Sequence, residues 1–146
     1  MKVIFGPLLE HHWPIIMREL PLALQQDTRG VIALNAETDE LLAAVVCEDW
    51  TITSVQCHIL ICNRAALRAG FINEVANYVF TTGGRLSMYG MVPADNDKAL
   101  RLNKHIGFTE VVRLKDAYDI GIDYVLMELR RENCPYWIQP ALAQIA

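Results

Sequence analysis

The chain has 146 residues, enough for one domain with a substantial core, and is 53% hydrophobic and 21% charged. Its net charge of −4, with no basic block, excludes a module that binds nucleic acid by neutralising phosphates. No apolar run reaches the length of a membrane span, the first residues lead into a strand rather than a leader, and a soluble cytoplasmic protein is expected.

Residues 2–5 are an apolar strand closed by Gly6 and Pro7. Residues 8–24 place Leu9, Trp13, Ile16, Met17, Leu20 and Leu24 on one helical face, and Pro14 and Pro21 divide them into two short helices. His11 and His12 point about 100° apart on a helix, a poor metal pair expected at the rim or in solvent. Residues 31–35 and 41–50 read as strands joined by the polar turn 36–40. The second is apolar on both faces, as in a central strand covered by helices. Residues 51–62 continue as strand, 63–70 form a corner of polar and small residues, and 71–80 form an amphipathic helix stopped by Gly83 and Gly84.

Residues 85–92 are a strand with Leu86, Met88 and Val92 on one face, and Pro93 ends it. Asp95, Asn96 and Asp97 offer capping oxygens to a helix carrying Ala99, Leu102 and Ile106, and Gly107 closes that helix. Residues 108–114 and 124–130 are strands joined by an acidic loop, 115–123. Residues 1–132 make up one domain. The tail 133–146, where Pro135 can start a helix and Pro140 disturb it, carries Trp137, Ile138, Leu142 and Ile145 to pack on the domain or on a partner. The element order predicts an α/β fold, a mixed sheet with helices on both faces.

The spacing Asn96-x-x-Ala99-x-x-x-Asn103-x-x-x-Gly107-Phe108 resembles the C-terminal signature of the GNAT superfamily of acyl-CoA-dependent N-acetyltransferases, with Asn103 where tyrosine is usual. Arg64, Ala65, Ala66, Leu67, Arg68 and Ala69 fall in register with that family's Gln/Arg-x-x-Gly-x-Gly/Ala loop, with Leu67 in place of glycine. The resemblance covers nearly the whole chain to about residue 130. It implies a mostly antiparallel sheet and acetyl-CoA as co-substrate, its pyrophosphate bound by N–H groups at a helix N-terminus. The contacts it implies are Ile61, Asn63, Arg64, Arg68, Ala69, Gly70 and Asn96. The acceptor would be an amine: a protein N-terminus, a lysine or a small molecule. The ending of the chain is also similar to compact members found among tailed-phage genes, which would place the protein in a host cytoplasm.

Acetyl transfer needs a neutral amine and a proton for the leaving thiolate. An amide such as Asn103 hydrogen-bonds a sulfur but donates no proton as an acid. His58 is the base candidate, since its unperturbed pKa is near neutrality; the competing reading is a histidine satisfied within the sheet. Glu48 and Asp49 are further options, and Tyr89 or Tyr118 could replace the missing tyrosine. Cys47, Cys57, Cys62 and Cys134 read as buried, reduced thiols with no metal-ligand spacing, and no metal is expected. An inactive relative acting through protein binding is the alternative, and a homodimer suits either reading.

Overall fold

The computed structural model describes residues 1–20 and 22–140. Its strands are β1 (Val3–Pro7), β2 (Arg29–Asn35), β3 (Leu41–Glu48), β4 (Ser54–Ile61), β5 (Ser87–Pro93), β6 (Thr109–Asp119) and β7 (Ile122–Arg130). They form one sheet in the order β1-β2-β3-β4-β5-β7-β6, antiparallel throughout except where β4 meets β5. The helices are α1 (Trp13–Glu19), α2 (Ala65–Arg68), α3 (Phe71–Ala76) and α4 (Asp97–Ile106). The seven strands follow in the expected order, with helical segments in the expected gaps, but α1 stands where the sequence predicts two α-helices and α2 with α3 where it predicts one.

The sheet is covered on both faces. All of β3 is buried, because its Leu, Ala, Val and Cys side chains are apolar on both sides. Val45, Cys47, Val55 and Cys57 face Phe71 and Val75 of α3 and Leu100 and Ile106 of α4. Ile32, Ala44 and Val46 face Trp13 and Ile16 of α1 on the other side.

Several expectations are corrected. The first strand runs on through Gly6 to Pro7, which pairs with Val31. Proline is tolerated there because β1 is an edge strand and needs no N–H on its open side. Pro14 does not interrupt a helix; it occupies the first turn of α1, where a missing N–H costs nothing. Residues 22–24 are not helical, and Met17 and Leu24 are exposed. Pro21 lies outside the described residues. His12 is buried rather than at the rim, and its Nδ1 accepts the Leu9 N–H at 2.9 Å. The helix predicted over 71–80 is α3 followed by a π-helical stretch, Asn77–Thr82.

The acidic loop 115–123 is mostly strand. The β6–β7 ladder reaches Asp119 and Ile122, leaving a tight turn at Ile120 and Gly121. Every residue of β6 is exposed, so it is not the half-buried strand its valines suggest. Register shifts and alternating charges (Glu110, Arg113, Lys115, Asp116) blunt this open edge against further pairing. In the tail, Pro135 starts no helix within the described residues, and Leu142 and Ile145 lie outside them. Trp137 sits edge-on to Phe80, and its Nε1 donates to Thr81 Oγ1 at 3.0 Å.

Candidate active site

The parallel pair β4–β5 is joined only from Ser54–Ser87 to Gln56–Tyr89. Beyond that point β4 continues to Ile61 on β3, while β5 continues to Pro93 on β7. The sheet therefore splits. Gly90 stands where the strands part: a Cβ there would lie 3.1 Å from the Cys57 carbonyl oxygen. The split holds a cleft of about 140 Å³, walled by His58 and Leu20 towards α1 and by Asn96, Ala99, Asn103 and Phe108 towards α4. Its lining residues come from both faces of the sheet.

His58 stands in the cleft wall, and its Nε2 is 2.8 Å from Glu48 Oε1. Val46 pairs with His58 and Glu48 with Gln56, so the two side chains are diagonal neighbours on the α1 face. Both are largely buried, at 14% and 9% side-chain exposure. Tyr89 stands beside Gln56 in the ladder. Its phenol is pushed up by burial first, with smaller contributions from its neighbours Asp49, Cys57 and Glu48, and stays protonated near neutrality. Asn103 is half-buried on the far side of the cleft, where its Nδ2 donates weakly to Met127 Sδ at 3.7 Å. The structure thus brings His58 and Asn103 to one cleft, while Tyr89 is near His58 but is not among the cleft-lining residues.

Because β4 and β5 are parallel, the segments that follow them emerge at the same end. The 63–70 corner differs from the open cradle the resemblance implies. Asn63 Oδ1 accepts the Ala65 N–H at 2.9 Å, and Asn63 O accepts that of Ala66. The N–H groups of Arg68, Ala69 and Gly70 go to Arg64, Ala65 and Leu67. The loop has curled into the short helix α2, which Gly70 breaks at φ 94°. Arg64, Arg68 and Ala69 are exposed, whereas Ile61 and Gly70 are half-buried. Across the cleft, Asn96 Oδ1 caps α4 by accepting the Ala99 N–H at 3.1 Å. Lys98 and Arg101 of α4 add positive charge beside Asp97 on the N-terminal half of the helix, whereas Lys104 lies in its last turn and pairs with Glu110 at 3.6 Å. Neither Lys98 nor Arg101 belongs to a motif, so sequence alone does not single them out.

No protein-family profile and no curated protein sequence matches the chain. Solved structures do. The spermidine/spermine N-acetyltransferase SpeG from Vibrio cholerae in complex with manganese ions superposes with a TM-score of 0.73 at 17% identity, covering 89% of this chain and 93% of that one. The spermidine N-acetyltransferase from Vibrio cholerae in complex with CoA and spermine gives 0.72 at 18% identity, covering 90% and 96%. The chain has the GNAT fold.

Within this GNAT fold the signature residues Asn96, Ala99, Asn103 and Gly107 all belong to α4 and its caps. Gly107 donates to Asn103 O and Lys104 O at φ 121°, which ends the helix and turns Phe108 into the core. Acidic residues at the β6–β7 tip serve the turn itself: Asp116 Oδ1 accepts from Gly121, Asp119 Oδ1 from Ile120, and Asp123 Oδ1 from Asp116. Tyr118 packs against Tyr124 at that exposed tip. Among the described residues no three His, Cys, Asp or Glu side chains are grouped to hold a metal ion. Cys47 and Cys57 face each other across β3 and β4 with sulfurs 3.5 Å apart. The Cys57 thiol is pushed well up by its bond to Cys47 and by burial, which argues against a thiolate nucleophile.

Proposed function

We propose that the protein is an acetyl-CoA-dependent N-acetyltransferase acting on a cationic amine. The observation that carries this reading is the split between β4 and β5, a passage connecting a basic end of the sheet with a buried imidazole. Acetyl-CoA supplies an activated acetyl thioester. Two strands parting in mid-sheet leave facing backbone edges that suit an extended ligand arm. Arg64 and Arg68, with Asn63, Ala69, Gly70 and Asn96 around them, meet the phosphates; with most of the corner N–H groups already engaged, side chains take the larger share of that charge. Ile61 flanks the arm at the end of β4.

The acceptor amine approaches on the α1 face, where Glu48, Asp49 and Glu128 supply negative charge. The amine gives up one proton to solvent before it attacks, and His58 takes a second as the N–C bond forms and the C–S bond breaks. Asn103 hydrogen-bonds the departing sulfur from the α4 side, and Tyr89, still protonated, is the nearby group able to return a proton. The enzyme would work in a cytoplasm.

Calorimetry with acetyl-CoA and thiol release with spermine as acceptor test the reading. Micromolar-to-millimolar binding is expected, weakened roughly tenfold in Arg64→Glu. No binding at millimolar acetyl-CoA would sink it. A second reading, a GNAT-fold protein that binds a protein partner or a second copy without turnover, draws on the exposed β6 face. CoA-independent association with no acetyl transfer would favour it.

A further inference from the structure

The geometry points to Glu48 as a positioning residue that fixes the His58 ring in one tautomer, with Nε2 protonated and Nδ1 bare as the proton acceptor. This rests on the acetyltransferase reading above and adds a residue to it.

A carboxylate accepts hydrogen bonds and donates none. With Glu48 as the carboxylate, His58 Nε2 at 2.8 Å from its Oε1 carries the hydrogen between them. The neutral ring then has its lone pair on Nδ1. Among the described residues Nδ1 has no hydrogen-bond partner, yet it is not one of the sealed, unsatisfied buried atoms. His58 is among the residues that line the cleft, and Nδ1, the free ring nitrogen, is the atom proposed to meet a substrate there.

Placement supports a chemical rather than a structural role. Glu48 is the one buried acidic side chain among the described residues, and it ends a strand otherwise made of Leu, Ala, Val and Cys. Burying a carboxylate and an imidazole costs desolvation energy that a well-packed apolar pair would avoid. Here one nitrogen is held and the other is left available, which is what orienting a proton acceptor requires. Glu48 on β3 is the titratable group in contact with the ring, and Leu20 at the end of α1 lines the same cleft as His58.

The test uses the full chain with histidine ¹⁵N labelling, and His58→Asn assigns the ring signals. The expected spectrum at mildly alkaline pH shows Nε2 protonated and Nδ1 unprotonated; an Nδ1–H tautomer overturns the proposal whether or not the protein turns over. The kinetic arm uses Glu48→Gln, which keeps size and shape, with acetyl-CoA and spermine as probes. A fall in kcat on the order of 100-fold, with KM for acetyl-CoA little changed, is expected. Wild-type-like kcat in a folded Glu48→Gln overturns the positioning role and leaves the acetyltransferase reading standing. A wild-type protein that neither binds acetyl-CoA nor releases thiol removes that reading, and the catalytic use of the pair with it.

Discussion

The two corners at the open end of the split sheet begin alike and end differently. After β5, Asn96 caps a ten-residue helix that Gly107 closes. After β4, Asn63 makes a similar side-chain bond, but α2 lasts only four residues before Gly70 breaks it. The first corner owes its form to packing, since Leu100 and Ile106 drive α4 into the core and Gly107 is wedged against the next elements. The second puts only Ala66 fully into the core, is tied to β3 by the Cys62 and Asn63 N–H groups on Leu42 O, and otherwise relies on short-range hydrogen bonds. A corner fixed by the core can be read from local spacing. A corner fixed by a few local bonds has several foldings of similar energy, and spacing chooses poorly among them.

Substitutions at the two glycines sharpen this contrast most. A Cβ on Gly107 would meet Leu129 Cδ1 at 3.1 Å, Asn133 O at 3.2 Å and Pro135 Cδ at 3.2 Å, at a φ of 121° that side chains avoid. Gly107→Ala is expected to lose about 2–3 kcal/mol in denaturant unfolding. Gly70→Ala meets only Asn73 Oδ1 at 3.7 Å, so backbone strain alone remains and a loss of roughly 1 kcal/mol is expected. Equal losses would break the comparison. Next come the caps: Asn96→Ala should cost about 1 kcal/mol, as usual for an N-cap, and Asn63→Ala under ~0.5 kcal/mol because so little helix depends on it. The smallest effect is chemical. Cys62 is the exposed cysteine of the four and lies at the start of the second corner. It should react with maleimide in the native state, and more slowly once CoA is added.

Fold and site were legible to different depths. The periodicities of β3, α3 and α4 report their burial directly, and the Asn96-to-Phe108 spacing carried the fold. The length of β6 was hidden, because a strand exposed along its whole length has the composition of a loop and is held by β7 alone. Pro14 looked like a break because proline starts a helix as readily as it ends one. His58 was visible as a candidate. That Glu48 is its partner depends on cross-strand register, which sequence spacing does not give. The engaged N–H groups of the 63–70 corner were invisible for the same reason that its helix is short.

His12 couples folding to acidity. Its Nδ1 accepts the Leu9 N–H, which only an unprotonated ring can do. Burial first, and the neighbouring His11 second, hold its pKa below the ordinary value of 6.5. The unfolded chain therefore binds this proton more readily than the folded one. The contribution is fully present above pH 6.5 and is lost as pH falls through the lower folded value. Acid should then release the turn leading into α1 while the sheet stays paired, loosening the segment that brings Leu20 against the cleft. His12→Asn, which lacks the titrating ring, should flatten that part of the acid melting curve.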